Sequence, residues 1–376
     1  MTTSRRPLRI AMIGAGKMAR AHSQAYLTAD RFFDLPLEPV LVVLAGHTRE
    51  RSEAVARAFG WHEVAGDWRE VVSRRDVDLV DVCTPTGLHA EAACAAAEQG
   101  KAVVCEKPLA DTVEAARGMV EAVGRAGVAN TVIFNYRYAP AVRHAHDLIA
   151  AGELGEVRHF RLHFLQDWLL DPGRPMSWRL RAETGGGVLL DLGAHLADLV
   201  LHLIGPVRRV AAATARFVSE RRAASGTLEP VDVDDVVQAL LVTASGALGT
   251  LGVSRVAAGH RCLNGFEIVG SRGSVRWEFE RLNDVEVYLP DSPASLRGWR
   301  TVSVTEPGAH PWATAWWGAG HALGYAETFV HQLAAFVRHL DGRDNDSPPT
   351  FSDGLECQRV LAALARAGRS GGWEEV

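Results

Sequence analysis

The chain has no uninterrupted run of 18 apolar residues. Its best candidate, residues 188–204, is broken by Asp191, His195, Asp198 and His202, so no membrane span and no membrane partner are expected. Cysteine is scarce: Cys83, Cys94, Cys105, Cys262 and Cys357 are odd in number and never spaced as CxxC. That pattern gives no support to a disulfide framework or a thiolate zinc site, no metal is expected, and a reducing compartment fits best. An excess of positive charge is also missing, since 40 Lys and Arg against 45 Asp and Glu leave −5. Nucleic-acid binding driven by bulk charge is therefore not expected. Ser4-Arg5-Arg6-Pro7-Leu8-Arg9 looks like a twin-arginine export signal, but the apolar stretch behind it, residues 10–15, is short and runs into a glycine motif. It reads as a strand, and the protein is expected in the cytoplasm. There is no internal repeat.

What is present is an ordinary globular balance, with 47% hydrophobic and 23% charged residues over 376 positions. That length suits two domains. Strand candidates at 8–13, 40–45, 79–82, 102–105 and 131–134 alternate with Ala-rich helical stretches at 18–27, 51–59, 88–99 and 112–125. Continuous apolar strands alternating with helices indicate a parallel sheet covered on both faces. Beyond Phe134 the texture changes. A helix candidate at 140–150 leads into longer alternating strands, of which 157–165, 275–280 and 285–289 are clearest, and these describe an antiparallel sheet with one wet face. An amphipathic helix is predicted at 189–203, two more at 322–340 and 354–367, and a polar loop at 341–349. The expected fold is α/β, with an N-terminal dinucleotide-binding doubly wound domain at 1–134 and a C-terminal α+β domain at 135–376.

Residues 10–13 followed by Gly14-Ala15-Gly16-Lys17-Met18-Ala19 read as a strand, a GxGxxA turn and a helix start. Gly14 permits the tight turn, Gly16 lets the backbone approach a pyrophosphate, and small Ala19 allows close helix–strand packing. Lys17 and Met18 open a helix whose free N–H groups face the anion. A plain glycine turn in a doubly wound sheet is the alternative, but the position at the head of a βαβ series points to a dinucleotide. At the end of the second strand, where a carboxylate would grip the ribose hydroxyls, the chain reads Gly46-His47-Thr48-Arg49 with no acid before Glu50. Without that acid a 2′-phosphate is not repelled, and His47, Thr48 and Arg49 are placed to hold one. The expected cofactor is NAD(P), with a lean to NADP. Otherwise Thr48 caps a helix and Arg49 is solvated.

Two segments carry chemistry. Cys105-Glu106-Lys107-Pro108 closes a strand at the carboxyl end, where open α/β sheets place ligands, so Lys107 is expected to be partly desolvated. Gly185-Gly186-Gly187 precedes Asp191 and His195, four apart and so on one helix face. A carboxylate that orients and charges an imidazole makes a general base near neutral pH. The same spacing also suits an ordinary surface pair.

Together, the GxGxxA turn, Thr84-Pro85 with His89, Glu106-Lys107-Pro108, Asn135-Tyr136-Arg137 and the glycine-preceded Asp191 and His195 resemble the glucose–fructose oxidoreductase/inositol dehydrogenase/MocA (Gfo/Idh/MocA) family over most of the chain. Leu165-Gln166-Asp167-Trp168, Ser177-Trp178-Arg179 and Gly324-Tyr325 with Glu327 look most like the levoglucosan dehydrogenases and related sugar or cyclitol dehydrogenases. The resemblance implies a Rossmann domain followed by a mainly antiparallel α/β domain, and a homodimer or homotetramer. It implies cofactor contacts from Thr84, Pro85, His89, Glu106 and Lys107, and Lys107, Asp191 and His195 as the catalytic set. Three departures stand out. Thr86 occupies a position that is often Asn, Gly46 replaces an acid common in NAD-preferring members, and 299–317 matches the family pattern poorly.

The activity this implies is reversible oxidation of a ring secondary alcohol of a sugar, anhydrosugar, sugar derivative or cyclitol. His195 is the expected acid/base, Asp191 orients it, and Lys107 stabilises the reacting oxygen; sequence leaves open Lys107 as proton acceptor instead. Tyr136, Arg137, Gln166, Trp168, Trp178 and Tyr325 are expected to wall the substrate, because polyol recognition interleaves polar groups with aromatic faces. Each has a structural alternative: core aromatics for Trp168 and Trp178, an ion pair for Arg137, a helix packing face for Tyr325. Trp299, Trp312, Trp316 and Trp317 read as a local hydrophobic cluster in preference to a lid. Two other activities share the motifs: a redox-neutral glycosidase or lyase using transient oxidation, and a non-catalytic cofactor sensor, which has no need of Lys107, Asp191 and His195.

Overall fold

The alternating apolar runs and Ala-rich stretches of the first third fold as their periods require in the computed structural model, which describes residues 5–290, 293–342 and 347–376. Ser4 of the export-like run and positions 343–346 of the expected polar loop lie outside the described residues. The described chain divides into two compact units, Met1–Tyr138 with Gly324–Gln358, and Ala139–Leu323 with Arg359–Val376.

In the first unit the strands are β1 (Arg6–Ile13), β2 (Leu37–Ala45), β3 (Glu63–Ala65), β4 (Leu79–Val82), β5 (Ala102–Cys105) and β6 (Asn130–Val132). They form one sheet in the order β3-β2-β1-β4-β5-β6, and every pairing is parallel. Helices α1 (Lys17–Phe32), α2 (Arg49–Phe59), α3 (Trp68–Val72), α4 (His89–Glu98) and α5 (Val113–Ala126) connect them. All four residues of β4 are buried, as a strand covered on both faces requires. The strand order reverses between β1 and β4, and there the Cys83 N–H donates to the Ile13 carbonyl at 2.8 Å. That crevice is where such sheets bind ligands.

The second unit begins with α6 (Pro140–Ala150) and β7 (Val157–Leu165), followed by a π turn at Leu189–Gly193 that runs into α7 (Ala194–Leu203). The strands that follow are β8 (Val207–Ala215), β9 (Glu220–Arg222), β10 (Leu228–Pro230), β11 (Val236–Thr243), β12 (Leu248–Ser254), β13 (Leu263–Gly270), β14 (Ser274–Glu278), β15 (Asp284–Tyr288) and β16 (Arg300–Ser303). After α8 (Tyr325–His339) of the first unit and α9 (Phe351–Ser370), the chain ends in β17 (Trp373–Glu375). The large sheet runs β16-β15-β14-β13-β7-β12-β11-β8-β17, with β9 and β10 as a separate ribbon. Among the described residues only β7 with β12 is parallel, so the sheet is mixed and mostly antiparallel. On β14, Val275 and Trp277 are buried while Arg276 faces out and pairs across the strands with Glu286 at 2.8 Å. The wet face is thus laced with cross-strand ion pairs.

Several boundaries differ from the sequence expectation for local reasons. Strand 131–134 ends instead at Val132, whose N–H donates to Pro349. Residues 279 and 280 leave the strand predicted at 275–280 for a 3₁₀ turn. β3 and α3 are too short for any period to announce, and β16 lies inside the stretch 299–317, for which the sequence suggests no strand. Ala182–Leu203 is long and apolar enough to span a membrane by composition, but 72% of its apolar window is buried inside the fold, as a core helix is.

Candidate active site

In the first unit β1 delivers Gly14 at φ +121°, with its N–H donating to the Ala45 carbonyl at 2.7 Å. A Cβ there would lie 2.4 Å from the Cys83 carbonyl oxygen, so only glycine fits where the ends of β1 and β4 meet. Gly16, the N-cap of α1, is the opposite case: a Cβ would meet nothing within 4 Å. The fold makes no use of the missing side chain, and no side chain caps the N–H groups beyond it. Lys17 is exposed, Met18 half-buried, and Ala19 wholly buried against the sheet. Just past β4, Thr84 holds a buried hydroxyl with no hydrogen-bond partner. A floor free of side chains, an uncapped helix N-terminus and an orphaned hydroxyl fit the phosphates and a ribose of a dinucleotide.

At the end of β2, Gly46 has a steric cause. A Cβ would fall 2.5 Å from Ser52 Oγ and 2.9 Å from Ala15 Cβ. His47, Thr48 and Arg49 are exposed, Thr48 is the N-cap of α2, and Arg49 Nε donates to Glu53 at 2.9 Å. Pro85 is exposed in the β4–α4 loop. His89 is buried with its ring nitrogens 2.9 Å from the Pro108 carbonyl and 3.0 Å from that of Thr84. It ties the loop after β4 to the turn after β5, and burial lowers its pKa. In that turn Glu106 is buried and Lys107 half-buried. The Lys107 N–H donates to Glu106 Oε2 at 3.0 Å. Tyr136 is buried with its ring centroid 6.2 Å from that of exposed Tyr325, which meets Phe329 edge-on. Arg137 pairs with Asp353 at 3.3 Å and lies over the Phe134 ring.

In the second unit Asp191 lies inside the π turn and His195 follows as the second residue of α7. The expectation of one continuous α-helix over 189–203 is corrected here. An inserted π turn of this kind is a frequent mark of functional sites. His195 is buried, its ring 5.9 Å from that of Phe164. The three glycines ahead of Asp191 wrap the backbone tightly. A Cβ at Gly186 would lie 2.6 Å from the Arg181 carbonyl oxygen and 2.7 Å from that of Arg179. This wrap sets Arg179 beside Asp191, with Nε donating to Oδ2 at 3.3 Å. A second guanidinium, Arg255, donates to the same oxygen from the end of β12. Arg255 also lies over the Trp168 ring and Arg179 over the Trp178 ring. Trp168 Nε1 donates to Gln166 at 3.0 Å. Gln166, Trp168, Trp178 and Asp191 are thereby joined in one network whose two arginines went unassigned in the sequence. Arg179 had a signal in its neighbour Trp178. Arg255, 64 residues from Asp191, had none.

A parallel sheet with an open glycine turn at its switch point, joined in one chain to a unit bearing an acid and a histidine on one helix, defines a two-domain nicotinamide-dependent oxidoreductase. Comparison with known proteins agrees. Residues 8–134 match the oxidoreductase family with an NAD-binding Rossmann fold, and residues 142–276 match the GFO/IDH/MocA C-terminal domain. The chain belongs to the Gfo/Idh/MocA family. It is 36% identical to levoglucosan dehydrogenase from Pseudarthrobacter phenanthrenivorans, covering 98% of each chain. The structure of a levoglucosan dehydrogenase in complex with NADH and levoglucosan superposes with a TM-score of 0.95 at 36% identity, over 99% of each chain. An oxidoreductase domain protein from Kribbella flavida gives a TM-score of 0.95 at 42% identity, over 98% of this chain and 99% of the other.

Proposed function

We propose that the protein is an NAD(P)-dependent dehydrogenase or ketoreductase acting on a ring secondary alcohol of a sugar, anhydrosugar or cyclitol. The observation that carries this is the arginine-clamped Asp191, set with His195 on one helical stretch beside Gln166, Trp168 and Trp178, in a chain whose Rossmann unit leaves Gly16 open. The bound nicotinamide supplies the hydride acceptor or donor. His195 takes the proton of the hydroxyl as the carbonyl forms and returns it in reduction. Asp191, held by the guanidinium groups of Arg179 and Arg255, stabilises the imidazolium. Lys107 donates a hydrogen bond to the reacting oxygen and stabilises negative charge developing there. Tyr136, Arg137 and Tyr325 of the first unit are proposed as further substrate contacts.

The cofactor's 2′ end faces no acid at position 46, and Thr48 and Arg49 are exposed, which supports acceptance of NADP(H). The wet face of the large sheet supports self-association as a homodimer or tetramer, and the free thiols of Cys83, Cys94 and Cys105 support a cytoplasmic setting. One experiment tests the activity: monosaccharides, anhydrosugars and inositols, each with NAD and NADP, read at the absorbance of the reduced nicotinamide. Wild-type protein is expected to accumulate reduced cofactor with at least one of them. His195→Asn is expected to lower kcat by roughly 10²-fold or more and to remove a limb of the pH–rate profile. A profile unchanged in His195→Asn would remove His195 as the base, and no accumulation with any substrate would remove the dehydrogenase reading.

A further inference from the structure

Beneath the cofactor turn lies a charged cluster that the proposed chemistry does not use. His22, on the second turn of α1, is 0% exposed. Its Nδ1 is 3.0 Å from Asp81 Oδ2 and its Nε2 is 3.1 Å from Glu106 Oε1. Asp81 is wholly buried on β4, and Glu106 is buried just past β5. Tyr26 of α1 donates to Asp81 at 2.9 Å, and the Cys83 thiol approaches both Asp81 and the His22 ring, at 3.4 and 3.3 Å. Phe329 of α8 closes the site with its ring 5.5 Å from that of His22.

A neutral imidazole has one N–H and one lone pair. Between two carboxylates it would leave one anion facing a lone pair in a place water does not reach, a costly arrangement. Only the doubly protonated ring donates to both. Burial opposes that charge, but Asp81 outweighs burial through its charge and hydrogen bond, with Cys83 adding, so the His22 pKa stands well above that of ordinary imidazole. Burial keeps Cys83 a thiol. His22, Asp81 and Cys83 stand close enough to share a metal ion, yet both ring nitrogens and the carboxylate are already hydrogen-bonded, and protons suffice as the shared cation.

We infer that His22 is a positioning residue for Lys107: as an imidazolium it holds the Glu106 carboxylate, whose second oxygen holds the Lys107 N–H. The chain of contacts runs from α1 through the end of β5 to the backbone of residue 107, so the helix that receives the cofactor phosphates also sets the proposed catalytic amine. This rests on the role of Lys107 proposed above. The test begins with wild-type protein labelled with ¹⁵N-histidine, with the His22 signals assigned by their loss in His22→Gln. Both ring nitrogens are expected to stay protonated at neutral pH, above the ordinary imidazole range; a neutral tautomer at neutral pH, or a stoichiometric metal by elemental analysis, overturns the inference. Glu106→Gln keeps an acceptor oxygen for the Lys107 N–H but loses the charge, and it is expected to lower the His22 pKa. Both it and His22→Gln are expected to lower kcat roughly 10²-fold and to change the pH–rate profile, with the NADH dissociation constant within about threefold of wild type. Wild-type kcat and pH profile in Glu106→Gln overturn the positioning role. Full activity in Lys107→Met would instead sink the assignment of Lys107, leaving the protonation of His22 to be read from the spectrum.

Discussion

Arg255 is a cation at 2% exposure. Burial, with the like charge of Arg179 second, lowers its pKa to about 9, which leaves it protonated at neutral pH, and the Asp191 carboxylate is its counter-charge. Removing one partner of a buried ion pair leaves the other uncompensated. Arg255→Met, similar in length and neutral, is therefore expected to cost roughly 3 kcal/mol of stability, moderated because Arg179 remains on Asp191. Its kcat should fall while cofactor affinity, which depends on the other unit, holds. Arg255→Lys should recover charge but not the fork that reaches Asp191 from over Trp168, and so should rescue only in part. Denaturant titration and steady-state kinetics on the two variants decide it; a kcat equal to wild type in Arg255→Met would remove the clamp from the mechanism. Lys107 could be picked out from sequence because its signal is local, an apolar strand ending in a charged triplet. Arg255 could not, because the long-range pairing of β12 into the sheet is what brings it to Asp191.

Among the elements, the two glycine runs look alike in sequence and differ in what they do. At Gly186 a Cβ would strike backbone atoms of residues 179 and 181, which have nowhere to go. At Gly16 it would enter open space. Gly186→Ala is expected to lose about 1–3 kcal/mol by overpacking, with Arg179 displaced from Asp191. Gly16→Ala should melt within about 1–2 °C of wild type and yet bind NADH much more weakly. Thermal melting and NADH titration separate the two, and an intact cofactor affinity in Gly16→Ala would refute a dinucleotide at that turn. The helix expected over 189–203 is legible because its apolar face repeats, but the π turn inside it is not. The π turn covers only five residues, 189–193, too few for its wider winding to show against the 3.6-residue repeat of the flanking helix. β3 and α3 escape sequence reading for a simpler reason, being shorter than one period of evidence.

For the whole molecule, buried histidines are expected to bound stability on both sides of neutrality. His331 is wholly buried with Nδ1 2.9 Å from the Tyr138 carbonyl, and burial lowers its pKa from 6.5 to about 4. The unfolded chain protonates this group near 6.5 and the folded one only near 4, so stability is lost as pH falls through that window. The loss is about 3 kcal/mol for a shift of this size. The lowered pKa of His89 acts with the same sign. His22 acts with the opposite sign: its raised pKa contributes stability that is complete below about pH 6.5 and lost as pH rises through the folded value. Denaturant unfolding across the pH range should therefore show His331→Gln flattening the acid slope and His22→Gln the alkaline one. Slopes equal to wild type in both variants would disprove this assignment.

The family, the two-domain fold, the nucleotide turn and the Lys107, Asp191 and His195 triad as candidates were readable in the chain itself, because each is written in neighbouring residues: a strand running into glycines, a charged triplet closing a strand, an acid and an imidazole one helical turn apart. The tertiary structure alone decided which charges meet. Asp191 is held by arginines from two separate segments, Glu106 by a histidine from the first helix, and Gly46 is small because Ser52 and Ala15 crowd it. Arg255 and His22 are far from their partners in sequence, no local period couples any of these contacts, and only the fold brings them within hydrogen-bonding or packing distance.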